Sequence, residues 1–365
     1  MSTRAAEFHA NQWQGVFYLT GGGISLLAEL LETPGASQSV LDAQVPYAIG
    51  ALTDLLGQEP EQACSSTTAR QLAMAAYERA QALGNRELFG LGCTASLATG
   101  RIKKGQHRAH WAVQTASDTF TFSATYDSDR SGEEYALSNH IWQSLQQYMG
   151  NHPDQKVDPG VTQMHASATP SLQKLLNPEP FSHCFGHPVC SLLFPGSFNP
   201  IHEGHKEMLR VAQALTGLEG AFELAIKNAD KPSLDYLTLK ERQADLHGAS
   251  LWLTNTPTFD GKAQLFPGAT FIVGVDTLER IGQLRFYQNN ADQFDRALAC
   301  FEQQDTLFLV FGRQQDSKFK TLEDLQLPHT LRQRCTGVPQ DKYQNNISST
   351  QIRQQQRRQN RSSDH

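Results

Sequence analysis

Residues 196–205 read G-S-F-N-P-I-H-E-G-H, and this stretch decides the fold of the second half of the chain. It follows the short apolar run 191–194 and precedes an amphipathic segment that starts at Lys206. The pattern predicts a buried strand, a tight turn with glycine and proline, and then a helix. His202 and His205 lie where the turn meets the helix, and free backbone N–H groups and the helix dipole favour an anion there. We interpret the stretch as a site that binds a polyphosphate. A charged imidazole binds a phosphate better than a neutral imidazole does.

Length and composition indicate a soluble protein of two domains. The chain has 365 residues, 39% hydrophobic and 19% charged, and this size allows two separate cores. The formal net charge of −6 gives no sign of a nucleic-acid surface, and we interpret the basic C-terminal cluster as a helix end. There is no apolar run of about 18 residues and no secretory signal, so we expect no membrane partner. The six cysteines are scattered, which favours free thiols, no metal site and a cytoplasmic location.

Strands and helices alternate in the first part of the chain. This order predicts an α/β sandwich over residues 1–150. Residues 151–187 contain several prolines and little periodicity, so we expect a linker between two domains.

The second domain is predicted over residues 188–365. Short β-rich runs alternate with helical segments, which predicts right-handed βαβ units and a Rossmann-like, doubly wound parallel sheet. Ligands of such sheets bind at the carboxyl ends of the strands, and the motifs of this half fall at those ends.

A second motif, I-S-S-T-Q-I-R, occupies residues 347–353. Its serines can cap a helix whose first turns carry Arg353, and such a helix start can bind an anion. An ordinary capped terminal helix is the alternative. Asn228 and Lys231 follow a predicted strand, and Lys231 is either a phosphate ligand or a solvated loop charge.

The two motifs together resemble the signatures of the HxGH nucleotidyltransferase superfamily, and their form is most similar to nicotinamide or nicotinate mononucleotide adenylyltransferases. The resemblance covers about residues 189–358. It implies that the first motif holds the triphosphate of ATP, that the two histidines stabilise charge on the transferred phosphate, and that the second motif holds the β and γ phosphates. The strand end F-I-V-G-V-D at 271–276 resembles the family strand that meets the adenosine ribose, and L-F-L-V-F-G-R at 307–313 resembles the strand before the phosphate-side loop. For Asp276 a helix cap is a compatible alternative.

The candidate residues fall into three groups. As catalytic residues we predict His202, His205 and Arg353. As nucleotide-binding residues we predict Gly196, Ser197, Phe198, Asn199, Gly204, Gly274, Asp276, Arg313, Ile347, Ser348, Ser349 and Thr350. As acceptor or phosphate ligands we predict Asn228 and Lys231.

The reaction that the resemblance implies is transfer of AMP from ATP, with Mg²⁺ bound to the triphosphate, to a mononucleotide. Residues 254–267 depart from the acceptor region of nicotinamide or nicotinate enzymes. Residues 286–304 form an insertion that is also atypical of those enzymes. Two other hypotheses therefore remain open: a cytidylyltransferase-like enzyme with another phosphorylated acceptor, and a nucleotide-binding protein without catalysis.

The first domain carries a second resemblance. T-G-G-G at 20–23, P-G-A-S at 34–37, V-P-Y at 45–47 and S-S-T-T-A-R-Q-L-A at 65–73 are similar, in order, to landmarks of the CinA C-terminal domain, a nicotinamide mononucleotide amidase family. That family uses a serine before T-G-G and a lysine after the tyrosine, but Tyr18 and Leu19 precede Thr20 here and residues 48–52 contain no lysine. The resemblance therefore implies a degenerate amidase-like domain. We expect either a nucleotide pocket lined by Gly21, Gly22, Tyr47 and the loop 92–105, or a purely structural domain that forms a homo-oligomer.

Overall fold

The computed structural model describes residues 2–100, 105–150, 158–228, 231–315 and 318–343. The chain forms two compact units. The first unit comprises Met1–Gln173 and Asn228–Lys240, and the second comprises Lys174–Lys227 and Glu241–His365. Among the described residues, no helix is long and apolar enough to cross a membrane.

The first unit is a mixed α/β domain. Its elements up to Gln173 are α1 (Thr3–His9), β1 (Trp13–Thr20), α2 (Ile24–Glu32), β2 (Val40–Gln44), α3 (Ile49–Leu56), α4 (Ser66–Leu83), β3 (Glu87–Ser96), β4 (His107–Thr115), β5 (Asp118–Tyr126), α5 (Arg130–Met149), β6 (Thr162–Ser167) and α6 (Pro170–Gln173). The strands form one sheet in the order β2-β1-β3-β4-β5-β6, in which β1 is parallel to β2 and β3 and the other pairs are antiparallel.

Strand β1 is buried on both faces of this sheet. Phe17 and Leu19 belong to a cluster with side chains of α1, α2 and α5. Val16 and Tyr18 belong to a separate cluster with side chains of α3 and α4. Because neighbouring residues of a strand point to opposite faces, helices cover both sides, as the sandwich prediction requires.

The expected linker contains sheet strands at both ends of its described part. Strand β6 pairs with β5 at the edge of the first sheet. Strand β7 (Ser182–Phe185) pairs antiparallel with a strand of the second sheet. Both are short edge strands between proline-containing loops, so their composition resembles that of a linker although their backbones complete two sheets.

The second unit is built on a seven-stranded sheet. The elements after β7 are β8 (Leu192–Pro195), α7 (Glu203–Thr216), β9 (Gly220–Ala225), α8 (Tyr236–Asp245), β10 (Leu251–Thr254), α9 (Phe259–Leu265), β11 (Thr270–Gly274), α10 (Val275–Ile281), α11 (Ala291–Gln303), β12 (Leu307–Phe311), β13 (Arg313–Gln315), β14 (Lys318–Lys320), α12 (His329–Arg332) and β15 (Cys335–Gly337). The sheet order is β15-β12-β11-β8-β9-β10-β7, and every pair except β10 with β7 is parallel.

This order confirms the predicted doubly wound sheet. The chain leaves β8 for β9 on one side and later fills β11 on the other side, so the strand order reverses between β8 and β11. Such a reversal opens a crevice at the carboxyl ends of the two strands. Phe271 pairs with Leu193, and continuing this register places Gly274 level with Gly196.

The segment Asn228–Lys240 packs within the first unit, although it follows β9 in the chain. Its Asp235 pairs with Arg70 at 3.3 Å, and the two side chains are only 6% and 5% exposed. Ser233 donates to Glu78 through its N–H at 3.0 Å and its hydroxyl at 2.5 Å. The Tyr236 hydroxyl donates to the Ala116 carbonyl at 2.6 Å. Buried polar groups are satisfied here by partners distant in sequence, so the segment is an integral part of this unit.

Candidate active site

The first motif leaves the sheet at the end of β8 and enters α7. The Gly196 N–H still donates to the Glu223 carbonyl of β9, at 2.9 Å. A Cβ atom at Gly196 would lie 2.6 Å from Cζ of Phe198, so a side chain here would collide with that ring. Gly196 was predicted to bind the nucleotide, whereas in the structure the ring of Phe198 occupies the space beside it.

Phe198 anchors the turn from inside. It adopts a left-handed backbone conformation with φ of 44°, and its side chain is 3% exposed. Its ring contacts those of Phe222 and His205, with centroids 5.0 and 5.2 Å away. This packing offsets the unfavourable backbone, which costs of order 1 kcal/mol in a non-glycine residue. Phe198 can therefore offer a nucleotide only its backbone, while Ser197 and Asn199 on either side are exposed.

His202 and His205 are brought together at the start of α7. Their rings stack with centroids 3.7 Å apart and planes 21° apart. The backbone N–H of His202 donates to Nδ1 of the His205 ring at 3.3 Å. Because Nδ1 accepts, the neutral His205 ring carries its proton on Nε2 and can donate from there. Nδ1 of His202 is buried and has no hydrogen-bond partner among the described residues.

Both imidazoles are neutral near neutral pH in this arrangement. Burial, and after it the neighbouring His202, lower the pKa of His205 to about 4. Burial also lowers the pKa of His202. The charged imidazole that the sequence suggested therefore requires proton uptake when a polyphosphate binds, since an anion nearby favours the charged form.

Two residues that were predicted to bind the nucleotide lie in contact at the ends of β11 and β12. Asp276 follows the end of β11, and Arg313 follows the end of the neighbouring strand β12. Nη1 of Arg313 lies 2.9 Å from Oδ2 of Asp276, with the side chains 55% and 33% exposed. The cap of α10 is Gly274, so Asp276 lies within the first turn and is not the helix cap. A Cβ atom at Gly274 would have no neighbour within 4 Å, so this strand end is open.

The remaining predicted residues belong to the first unit or lie outside the described residues. Asn228 and Lys231 belong to the first unit, where both are exposed. The second motif, with Ile347, Ser348, Ser349, Thr350 and Arg353, lies outside the described residues. In the described part of the chain, no group of three histidine, cysteine or acidic residues is placed to hold a metal ion.

Three polar residues of the second unit were missed in the sequence. Lys262 of α9 forms an ion pair with Glu223 of β9, and these side chains are 5% and 0% exposed. The Thr254 hydroxyl donates to the same carboxylate at 2.5 Å. Lys262 lies in the region that departs from the acceptor site of nicotinamide or nicotinate enzymes. Single-sequence patterns gave no signal for it, because a lone lysine on a short helix normally faces solvent.

Tyr343 was also missed. Its hydroxyl donates to the Gly204 carbonyl, at 3.2 Å, in the first turn of α7. Its ring meets Phe311 at the end of β12, edge to face, with centroids 5.1 Å apart.

The predicted pocket of the first unit is closely packed around its glycines. A Cβ atom at Gly21 would lie 1.9 Å from the Ala95 carbonyl oxygen, and one at Gly22 would lie 2.7 Å from a methyl of Leu97. The N–H groups of Gly23 and Ser25, at the start of α2, donate to the Glu134 carboxylate at 2.9 and 3.0 Å. Tyr47 is 73% exposed. The helix start that could hold a phosphate thus already binds a carboxylate of its own chain.

Residues 193–355 match the family model described as cytidylyltransferase-like. The C-terminal part of the chain is therefore similar to a cytidylyltransferase-like domain. The HxGH-type resemblance of this part is confirmed by that match. The cytidylyltransferase-like domain includes the crevice between β8 and β11 together with His202, His205, Asp276 and Arg313.

Solved structures similar to this chain cover its N-terminal part. The competence/damage inducible protein CihA from Agrobacterium tumefaciens is 19% identical, with 39% of this chain and 88% of that chain covered and a TM-score of 0.30. A competence or damage-inducible protein from Enterobacter asburiae is 14% identical, with 39% and 94% covered and a TM-score of 0.32. A CinA superfamily protein from Klebsiella pneumoniae is 13% identical, with 41% and 93% covered and a TM-score of 0.32. No curated protein matches the chain.

Proposed function

We propose that the cytidylyltransferase-like domain transfers AMP from ATP to a pyridine mononucleotide and releases pyrophosphate. A cytidylyltransferase-like domain supports nucleotidyl transfer in general. The observation that carries the proposal is the stacked pair His202–His205, at the start of α7 and beside the strand reversal of a parallel sheet. Side chains that can meet a nucleotide also lie at the ends of β11 and β12.

In this proposal the chemistry is a direct in-line transfer. An oxygen of the acceptor phosphate attacks the α-phosphorus and forms a new P–O bond. The bond from the α-phosphorus to the bridging oxygen breaks, and pyrophosphate leaves with that electron pair. The donor substrate is ATP with bound Mg²⁺, and the protein contributes positioning and charge stabilisation without a covalent intermediate.

The histidine pair supplies hydrogen-bond donors where negative charge increases. His205 donates from Nε2, because its Nδ1 accepts from the His202 backbone. Protonation of either imidazole as the polyphosphate binds would add positive charge at the same place. The Asp276 carboxylate can accept hydrogen bonds from the ribose hydroxyls of the donor. The Arg313 guanidinium can bind a phosphate that displaces the Asp276 carboxylate from it.

A second candidate is transfer of CMP from CTP to a phosphorylated alcohol or sugar. Two observations favour it: the description of the matching family and the acceptor region around Lys262. There Glu223 holds both Lys262 and Thr254, so these polar groups are already paired within the protein. A pyridine mononucleotide would have to be recognised by other residues.

The first unit supports no amidase chemistry in this proposal. Tyr18, which precedes Leu19 and the T-G-G stretch, is buried in one apolar cluster with Leu52 of α3. Leu19, directly before Thr20, has no nucleophilic atom, and residues 48–52 contain no lysine that could act as a base. Incubation with nicotinamide mononucleotide should therefore release no ammonia.

The deciding experiment measures pyrophosphate release by the purified protein with Mg²⁺. ATP and CTP are each combined with nicotinamide mononucleotide, nicotinate mononucleotide, and a panel of phosphorylated alcohols and sugars. Release that requires ATP and a pyridine mononucleotide supports the first proposal, and release that requires CTP with another acceptor supports the second. If no pair releases pyrophosphate but a nucleotide raises the melting temperature, the domain only binds nucleotides and both proposals fail.

A further inference from the structure

Tyr343 joins two parts of the candidate active site that come from distant places in the sequence. Its hydroxyl holds the Gly204 carbonyl, which directly precedes His205. Its ring rests on Phe311, the last residue of β12, and two residues further along is Arg313. The side chain therefore connects the histidine-bearing helix start with the strand end that carries the Arg313–Asp276 pair.

The bond to Gly204 constrains the first turn of α7. A helical carbonyl has two lone pairs, so it can accept from Tyr343 in addition to its partner within the helix. Burial, and after it Glu207, raise the pKa of the Tyr343 hydroxyl to about 12, so it remains a donor throughout the working pH range. Phe311 is 1% exposed, which gives the tyrosine ring a fixed surface to pack against.

The orientation of His205 depends on this same turn. His205 is held by the backbone N–H of His202 and by stacking on the His202 ring. Both contacts change if Gly204 moves, because Gly204 lies between the two histidines in the chain. A displacement of about 1 Å is enough to misplace a donor that acts on a transferred phosphate.

We propose that Tyr343 is a positioning residue for nucleotidyl transfer, which fixes the start of α7, and with it His205, against the end of β12. This inference rests on the proposed function. Tyr343 acts through the Gly204 carbonyl and does not need to touch the substrate.

The chain offers a matched control in Tyr287. Its hydroxyl also donates to a backbone carbonyl, that of Ile281, at 3.1 Å. Its ring also meets a phenylalanine, Phe294, with centroids 5.1 Å apart. Burial raises its pKa to about 12 as well. Tyr287→Phe thus removes a comparable hydrogen bond away from α7 and β12.

The test compares Tyr343→Phe, Tyr287→Phe and the wild type with the donor and acceptor pair that gives turnover. Tyr343→Phe should lower kcat about five- to tenfold, the effect of one hydrogen bond, and change the KM of the donor less. It should also shift the pH profile of kcat/KM, because the surroundings of His205 change. Tyr287→Phe should leave kcat and the pH profile unchanged, although the melting temperatures of both variants should fall similarly.

The outcomes separate this inference from the proposed function. If the wild type turns over and the two variants have equal kcat values and equal pH profiles, Tyr343 has no positioning role. If the wild type turns over no donor with any acceptor, the proposed function fails and the inference fails with it.

Discussion

The histidine pair makes the stability of the chain depend on pH in a direction that can be calculated. His205 has a pKa of about 4 in the folded protein and an ordinary value of 6.5 in the unfolded chain. Between these values the unfolded state binds more protons, so the free energy of unfolding falls as the pH falls through this window. The difference is about 2.5 pKa units, and one unit corresponds to about 1.4 kcal/mol. At pH 4.5 the wild type should have lost about 2.5 kcal/mol through this residue, while above about pH 7 it should have lost nothing.

The perturbation that isolates this effect is His205→Asn. The amide oxygen of asparagine can still accept from the His202 N–H, but the side chain does not titrate. Urea unfolding of both proteins between pH 4.5 and 7.5 gives the free energy of unfolding at each pH. The difference between wild type and variant should shift by about 2.5 kcal/mol in favour of the variant toward pH 4.5. The exposed His329, replaced in His329→Asn, is the control for general effects of acid. A difference that stays constant over the whole range would refute the buried, neutral assignment of His205.

Two further predictions concern the candidate active site, and a third concerns the buried ion pair between Arg70 and Asp235. His205→Ala should bind the donor nucleotide about as well as the wild type but lose roughly 10²–10³ in turnover, measured as pyrophosphate release; near-normal turnover would contradict the catalytic role. Asp276→Asn and Arg313→Ala should each raise the KM of the donor, and a double-mutant cycle should give non-additive effects because the side chains are paired at 2.9 Å. Arg70→Met should lower the free energy of unfolding by about 3 kcal/mol, because it leaves Asp235 buried without its charge partner. Adding Asp235→Leu should restore part of the lost free energy. An equal loss in the single and the double variant would show that the ion pair is not the cause.

The sequence predicted the central elements well because their signals are local. The predicted strand, turn and helix around residues 196–205 are observed as β8, the turn and α7, and the predicted alternation of strands and helices continues from β9 to β12. Apolar runs bounded by glycine, proline or capping residues define such elements through contacts along the chain. Edge strands such as β6 and β15 were missed, because a short, partly exposed strand carries little hydrophobic periodicity and depends on its neighbour in the sheet.

The sequence predicted less of how side chains share the site. It selected His202, His205, Asp276 and Arg313, since strand ends and helix starts can be located from local patterns. It missed Tyr343, because its contacts are to Gly204 and Phe311, 139 and 32 residues away. It also listed Gly196 as a nucleotide-binding residue without showing that Phe198 lies over it, because the left-handed turn that places Phe198 there is set by packing against Phe222. Long-range packing of this kind leaves no period or spacing in a single sequence.

The two units contain the same local motif in opposite states. Each has a strand buried in its sheet, a glycine-containing turn and a helix: β1 with α2 in the first unit, and β8 with α7 in the second. In the first, the N–H groups at the start of α2 donate to Glu134, and Ala95 and Leu97 fill the space beside the glycines. In the second, Nδ1 of His202 has no partner among the described residues, and the strand end at Gly274 is open. A helix start that is saturated by its own carboxylate gains nothing from binding a phosphate, whereas one with unsatisfied polar groups gains a hydrogen bond for each that it pairs. The physical chemistry of the two turns therefore supports the proposal that the second unit, and not the first, binds the nucleotide.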